Sequence, residues 1–197
     1  LPNLALFIKD WYMLRRVFFI LNSLGMLTSC FKSQVSLDYH AYPARQHQHS
    51  ASFAVGAVVD GRQQKNPAYL GYIRGSRRGL PEELYLSQPA DETVRNAFLH
   101  GLNVRGMQAR GSARVRLEVQ VQELFCRFED IPYARCTLEV TARGSGGLIY
   151  RQTYSAARQD ASYLPDDYSD RTQDLREIAS RTLQDAVDKA LDDPRLN

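Results

Sequence analysis

Between positions 115 and 121 the chain alternates with a strict period of two. Val115, Leu117, Val119 and Val121 are interleaved with Arg116, Glu118 and Gln120. This pattern predicts a strand with one buried face and one solvated face, not a helix or a strand enclosed on both sides. Past Gln122 the apolar phase steps to Leu124, Cys126 and Phe128. A bulge at 122–123 absorbs that step and keeps the same face buried. Ile131-Pro132 turns the chain, and Ala134, Cys136, Leu138 and Val140 form a return strand. Gly144-Ser145-Gly146-Gly147 turns it again, and 148–156 form a third strand with Tyr150 and Tyr154 on one side. The segment therefore reads as a β-meander, and its apolar face needs a cover.

Two amphipathic segments can supply that cover. In the first, Ser87 is the expected cap, Pro89 lies in the first turn, and Asp91 and Glu92 suit the positive helix end. Val94, Ala97, Phe98 and Leu102, with Met107 beyond, mark its apolar face, and it ends over 103–106. In the second, Leu175, Ile178, Ala179, Leu183, Ala186, Val187, Ala190 and Leu191 recur at helical spacing, with Pro194 past the stop. Shorter apolar runs at 35–39, 53–59 and 84–86 add strands, and Asp60-Gly61 ends the second of them. With 44% hydrophobic and 24% charged residues in 197, the chain suits one domain with a real core. The predicted fold class is α+β, a two-layer α/β sandwich. Its mostly antiparallel β-meander sheet packs against helices at about 88–105 and 170–192, within a single domain spanning 51–193.

The N-terminal region reads as a processing signal. Arg15 and Arg16 precede a short apolar stretch, 17–27, that ends Leu27-Thr28-Ser29-Cys30. That stretch is too short for a hydrocarbon core of about 30 Å, so it reads as an export signal and not a permanent span. Its ending resembles the lipobox of bacterial lipoproteins. The resemblance implies a diacylglycerol on Cys30, cleavage before it, and stable anchoring by several acyl chains. Position 31 is Phe, whereas the inner-membrane retention signal is Asp; this points to the outer membrane, with the protein facing the periplasm. Residues 1–12 fit poorly ahead of this signal, since Met13 begins one of ordinary length. The expected organisation is an upstream stretch at 1–12, a signal peptide at 13–29, a lipidated tether with a short edge strand at 30–50, and then the domain.

Charge and cysteines narrow the function. A net charge of +3 excludes a strongly basic nucleic-acid binder. Positive charge is nonetheless concentrated: Arg62, Lys65, Arg74, Arg77 and Arg78 fall close together, with Tyr69 and Tyr72 among them. Arginine forms bidentate contacts with carboxylates or phosphates and tyrosine adds apolar area at modest entropy cost, so this segment, which reads first as a turn-rich loop with short strand pieces, is the candidate partner contact. The alternative is a solvated, turn-rich loop. Cys126 and Cys136 lie at equal distance from a hairpin centred on Ile131, which would let them pair in an oxidising compartment. The alternative is two reduced thiols buried as small apolar groups.

Catalytic chemistry finds little support. Gly144-Ser145-Gly146 sits in a turn and not at a strand-to-helix elbow, and there is no P-loop, H-E-x-x-H or C-x-x-C. His47 and His49 could share a side of an extended chain, but no third ligand joins them at a convincing spacing, and no metal or cofactor is expected. Asp166, Asp167 and Asp170 lack the Gly and terminal Glu of a calcium loop.

The order of features resembles the YajG-like family of small Gram-negative lipoproteins. The resemblance runs from the lipobox at Cys30 through 35–39, 53–59 with Asp60-Gly61-Arg62, and 84–87 leading into a helix that ends Val104-Arg105-Gly106-Met107. It continues through 117–125, the hairpins near 130 and 144, and the closing helix, with Gly106 and Tyr154 the most similar positions. It implies an α/β sandwich-like domain with no established activity and no catalytic residues. Strand, helix, meander and helix is also the plan of periplasmic accessory lipoproteins. The expected function is a non-catalytic, lipid-anchored accessory or scaffold protein that binds a protein partner or peptidoglycan and no nucleic acid. A small-ligand or lipid carrier, which needs an enclosed apolar pocket, is the alternative, and an enzyme of unknown class a more remote one.

Overall fold

The computed structural model of the chain describes residues 32–40, 52–74, 81–109, 111–160 and 170–196. The proposed signal and Cys30, the pair His47 and His49, Arg77, Arg78, Asp166 and Asp167 lie outside the described residues. One compact unit runs from Lys32 to Asn197.

Among the described residues seven strands form one sheet: β1 (Lys32–Val35), β2 (Phe53–Asp60), β3 (Tyr69–Ile73), β4 (Glu82–Leu86), β5 (Val115–Phe128), β6 (Pro132–Gly144) and β7 (Gly147–Gln159). The meander β5–β6–β7 is antiparallel and carries the longest ladders. The β5 register slips between Val121 and Glu123, where the change of apolar phase places the bulge. The other half is mixed: β1 runs parallel to β4, β4 antiparallel to β3, and β3 parallel to β5. β2 also pairs parallel with β5. The first strand lies upstream of its predicted position; Lys32–Val35 pairs with β4, while 36–40 leave the sheet to run against the helices. The basic stretch after β2 holds a full strand, β3, where turns and short strand pieces are expected.

Helices α1 (Ala90–Val104) and α2 (Asp170–Leu191) lie within two residues of their predicted bounds and cover one face of the sheet. α2 crosses β5, β6 and β7, and α1 lies against β2 and α2. Phe53, Phe98, Phe128, Leu117 and Leu138 are fully buried between the layers. The start of α1 departs from expectation. Pro89 is the N-cap, with no side-chain cap bond, and the Ser87 amide is spent on the Val35 carbonyl. Its end is set by Gly106 at φ 68°, where the amides of Gly106 and Met107 return to the carbonyls of Asn103 and Leu102. A left-handed residue is required there, and glycine adopts that conformation without a Cβ clash.

On the opposite face of the meander, side chains meet across strands, and among the described residues no helix lies over them. Arg143 pairs with Glu118, Arg135 with Glu123 and Arg151 with Glu139, all partly exposed. Each such pair contributes at most about 1 kcal/mol, so these pairs order the surface side chains more than they stabilise the sheet.

Candidate functional site

The predicted contact residues divide by environment. Arg62 is not a surface contact: its side chain is 5% exposed and all five guanidinium N–H groups are used. Nε and Nη2 donate to the two Asp60 carboxylate oxygens, both at 2.9 Å. Nη1 donates to the carbonyls of Tyr69 and Leu124, both at 2.9 Å, and Nη2 also donates to the Pro67 carbonyl at 2.7 Å. The topology explains this. β2 and β3 share one edge of β5, the first beside Val115–Val121 and the second beside Cys126–Phe128. The Leu124 carbonyl falls in the gap between them, beside the bulge, and Arg62 supplies its donor. Burial raises the Asp60 pKa, but the hydrogen bonds and charge of Arg62 outweigh it and hold the carboxyl below the usual range.

Lys65, Tyr69, Tyr72 and Arg74 do reach the surface. Lys65 and Tyr69 line a shallow depression of about 550 Å³ with Gln63, Asn66, Glu83 and Tyr85. Tyr69 meets Tyr85 edge to face at 5.7 Å, and the Lys32 ammonium lies over the Tyr85 ring at 5.4 Å. Partial burial and then the Glu83 charge push the Tyr69 hydroxyl pKa up, so it remains a neutral donor. Tyr72 donates to Glu129 at 2.6 Å; that bond chiefly raises the tyrosine pKa and lowers that of the carboxyl.

The register extends this patch in a way the sequence does not signal. Lys32, Glu83, Tyr72, Arg127 and Tyr133 face one another in a single row across β1, β4, β3, β5 and β6. Arg127 stacks over Tyr133 at 5.2 Å, and Phe125 lies 5.8 Å from the same ring. Tyr85, Phe125 and Tyr133 are half-buried on the sheet face opposite the helices. Aromatic residues at the polar phase of an alternating strand are the signal that could have found them.

A second polar cluster joins 36–40 to the helices. The Arg105 side chain, 4% exposed, pairs with Asp188 at 2.9 Å and Asp192 at 2.8 Å. Tyr39 donates to Asp188 at 2.5 Å and accepts from Arg105 at 3.2 Å. Burial, reinforced by the Asp188 bond, raises the Tyr39 pKa far above its ordinary value. These bonds tie residues 36–40 to both helices.

Cys126 and Cys136 are both free and buried, which corrects the expected pairing. The hairpin is centred on Asp130 and not Ile131, so Cys126 faces Ala134 and Cys136 faces Leu124. Pro132 opens β6 instead of occupying the turn. Burial pushes both thiols up to about 12. Among the described residues no three His, Cys, Asp or Glu side chains converge as a metal site. Two further cavities, about 590 and 390 Å³, open to solvent and carry charged or polar side chains, Asp174, Arg181 and Asp185 in one and Asp38, His40 and His100 in the other.

This geometry agrees with what the chain is similar to. A Xanthomonas campestris protein of the DUF330 family superposes with a TM-score of 0.61 at 14% identity, over 81% of this chain and 92% of that one. An uncharacterized protein superposes at 0.50 with 15% identity, over 81% and 99%. A minor lipoprotein from Acinetobacter baumannii reaches only 0.35 at 12% identity, over 68% and 91%, and carries no weight for the fold. No curated protein matches. A family model described as uncharacterized lipoprotein matches residues 40–197, and the chain belongs to that family, the YajG-like lipoproteins of the sequence resemblance.

Proposed function

We propose that this member of the uncharacterized lipoprotein family is a non-catalytic accessory protein, anchored by lipid on Cys30 to the outer membrane and facing the periplasm. It docks a protein partner on the sheet face opposite the helices, around Lys65, Tyr69 and Tyr85. The observation that carries this reading is the half-buried aromatic pairs Tyr69–Tyr85 and Phe125–Tyr133 on the sheet face opposite the two described helices. Core-like aromatics stand there beside cations, the composition of a contact surface and not of a merely solvated one. Arg62 belongs to the fold and drops out of the contact set. A lipid or small-ligand carrier would draw support from an enclosed apolar pocket; the cavities at the described residues are open and polar.

Photo-crosslinking in intact cells tests this. A benzophenone side chain at position 69 or 85 should capture one discrete partner, and the same group at Arg181 on α2 should not. Adducts of equal yield and identity from all three positions, or none from 69 and 85 in correctly localised protein, would overturn the docking surface. Capture of glycan alone would transfer the role to the cell wall.

A further inference from the structure

We infer that the lipid seats the domain directly on the bilayer, with the Lys32 end of the sheet in the headgroup layer, instead of holding it on a tether. The inference rests on the anchoring proposed above and adds to it a surface and an orientation. Cys30 precedes Lys32, the first residue of β1, by two positions. Two extended residues span at most about 7 Å, comparable to one headgroup layer.

β1 is not a loose end that could lengthen the leash. All four of its residues pair with β4, and Val35 is buried. The Val35 carbonyl accepts from Ser87, and the chain beyond is held through Tyr39 to Asp188 and Arg105. Peeling β1 away would break this ladder and uncover core.

The topology then selects what meets the membrane. Lys32 faces Glu83, and Glu83 faces Tyr72. At about 4.8 Å per strand, Tyr72 lies only about 10 Å from the anchored strand. Arg74 follows Ile73, which faces Glu82, and Glu129 accepts the Tyr72 hydroxyl. Sheet twist of about 20–25° per strand turns β6 and β7 progressively away, so the contact is confined to the β1 side. Lys32 and Arg74 stand there among Glu82, Glu83 and Glu129. At the described residues this surface carries both signs, which suits a headgroup carrying both ammonium and phosphate. The hairpin at 144–147 ends β6, 13 residues from its start, and so stands about 40 Å further along the sheet.

The lipidated full chain is reconstituted in phosphatidylethanolamine–phosphatidylglycerol vesicles that carry a headgroup energy acceptor. Donors are placed singly at Arg74→Cys, which is exposed, and at Gly146→Cys, where an added Cβ meets nothing within 4 Å. The native thiols are buried and do not compete for label. Transfer from position 74 should exceed that from 146 severalfold, in low and high salt alike. A ten-residue Gly-Ser insertion between Phe31 and Lys32 should bring the two together. Equal transfer from both sites in protein that floats with the vesicles would overturn the seating and leave the anchoring intact. Protein that does not float, with no lipid mass on Cys30, would overturn the anchoring and the seating with it.

Discussion

Replacing Arg62 by Met keeps most of the apolar stem and removes every donor, so it measures the polar junction and not lost volume. The change strands the carbonyls of Tyr69, Leu124 and Pro67 and leaves the Asp60 carboxylate, 16% exposed, without its partner. Breaking one side of a buried ion pair costs about 3–5 kcal/mol, and entry of water beside Asp60 places this case near 3–4. Folded domains are stable by only about 5–15 kcal/mol, so the loss is large. With a urea slope of about 2 kcal/mol per molar, the unfolding midpoint should fall by roughly 1.5–2 M. Arg62→Lys keeps the charge but at most three donors, and should fall between wild type and Met. The pH dependence supplies an internal check. Because the folded Asp60 pKa is lowered, its stabilisation is present above the ordinary carboxylate value of 3.8 and is lost as pH falls through the folded value. That acid-side slope should be smaller in Arg62→Met. A midpoint shift below about 0.5 M would refute the view that Arg62 joins the two strands sharing one edge of β5.

Gly71→Ala should unfold the chain or cost at least about 3 kcal/mol, read by thermal melting, because its Cβ would fall 1.6 Å from the Cys126 carbonyl oxygen. A near-wild-type melt would show that β3 can shift away from β5. Cys126 and Cys136 should resist alkylation in the native protein and both take label in denaturant without reductant; an intact mass lacking two adducts would show a disulfide. Asp193 is held well below the usual carboxylate range by Arg195 first and by the Tyr154 hydroxyl. Its stabilisation is therefore present above 3.8 and fades as pH falls further, and Asp193→Asn should be less stable at neutral pH with a shallower loss in acid. Parallel pH profiles for the two proteins would refute that assignment.

The elements whose logic is local were legible in the sequence. The alternation of 115–128 set the half-buried strand, and the change of phase at 122–123 located the bulge, because a period of two leaves no other way to keep one face apolar. The spacing of Leu175 to Leu191 set α2, and Gly106 set the end of α1, for equally local reasons. The family resemblance followed from the order of such features. Long-range pairing decided the rest. A hairpin centre displaced by one residue moved Cys126 and Cys136 out of register, which no spacing rule detects. Arg62 reads as one more exposed cation until β2 and β3 take the same edge of β5 and leave the Leu124 carbonyl between them. The tyrosines of the candidate surface came together only when β1, β4 and β3 were ordered side by side. Periodicity reports which face of an element is buried, whereas neighbours across a sheet are chosen by the packing of the whole chain, and the proposed site is made of such neighbours.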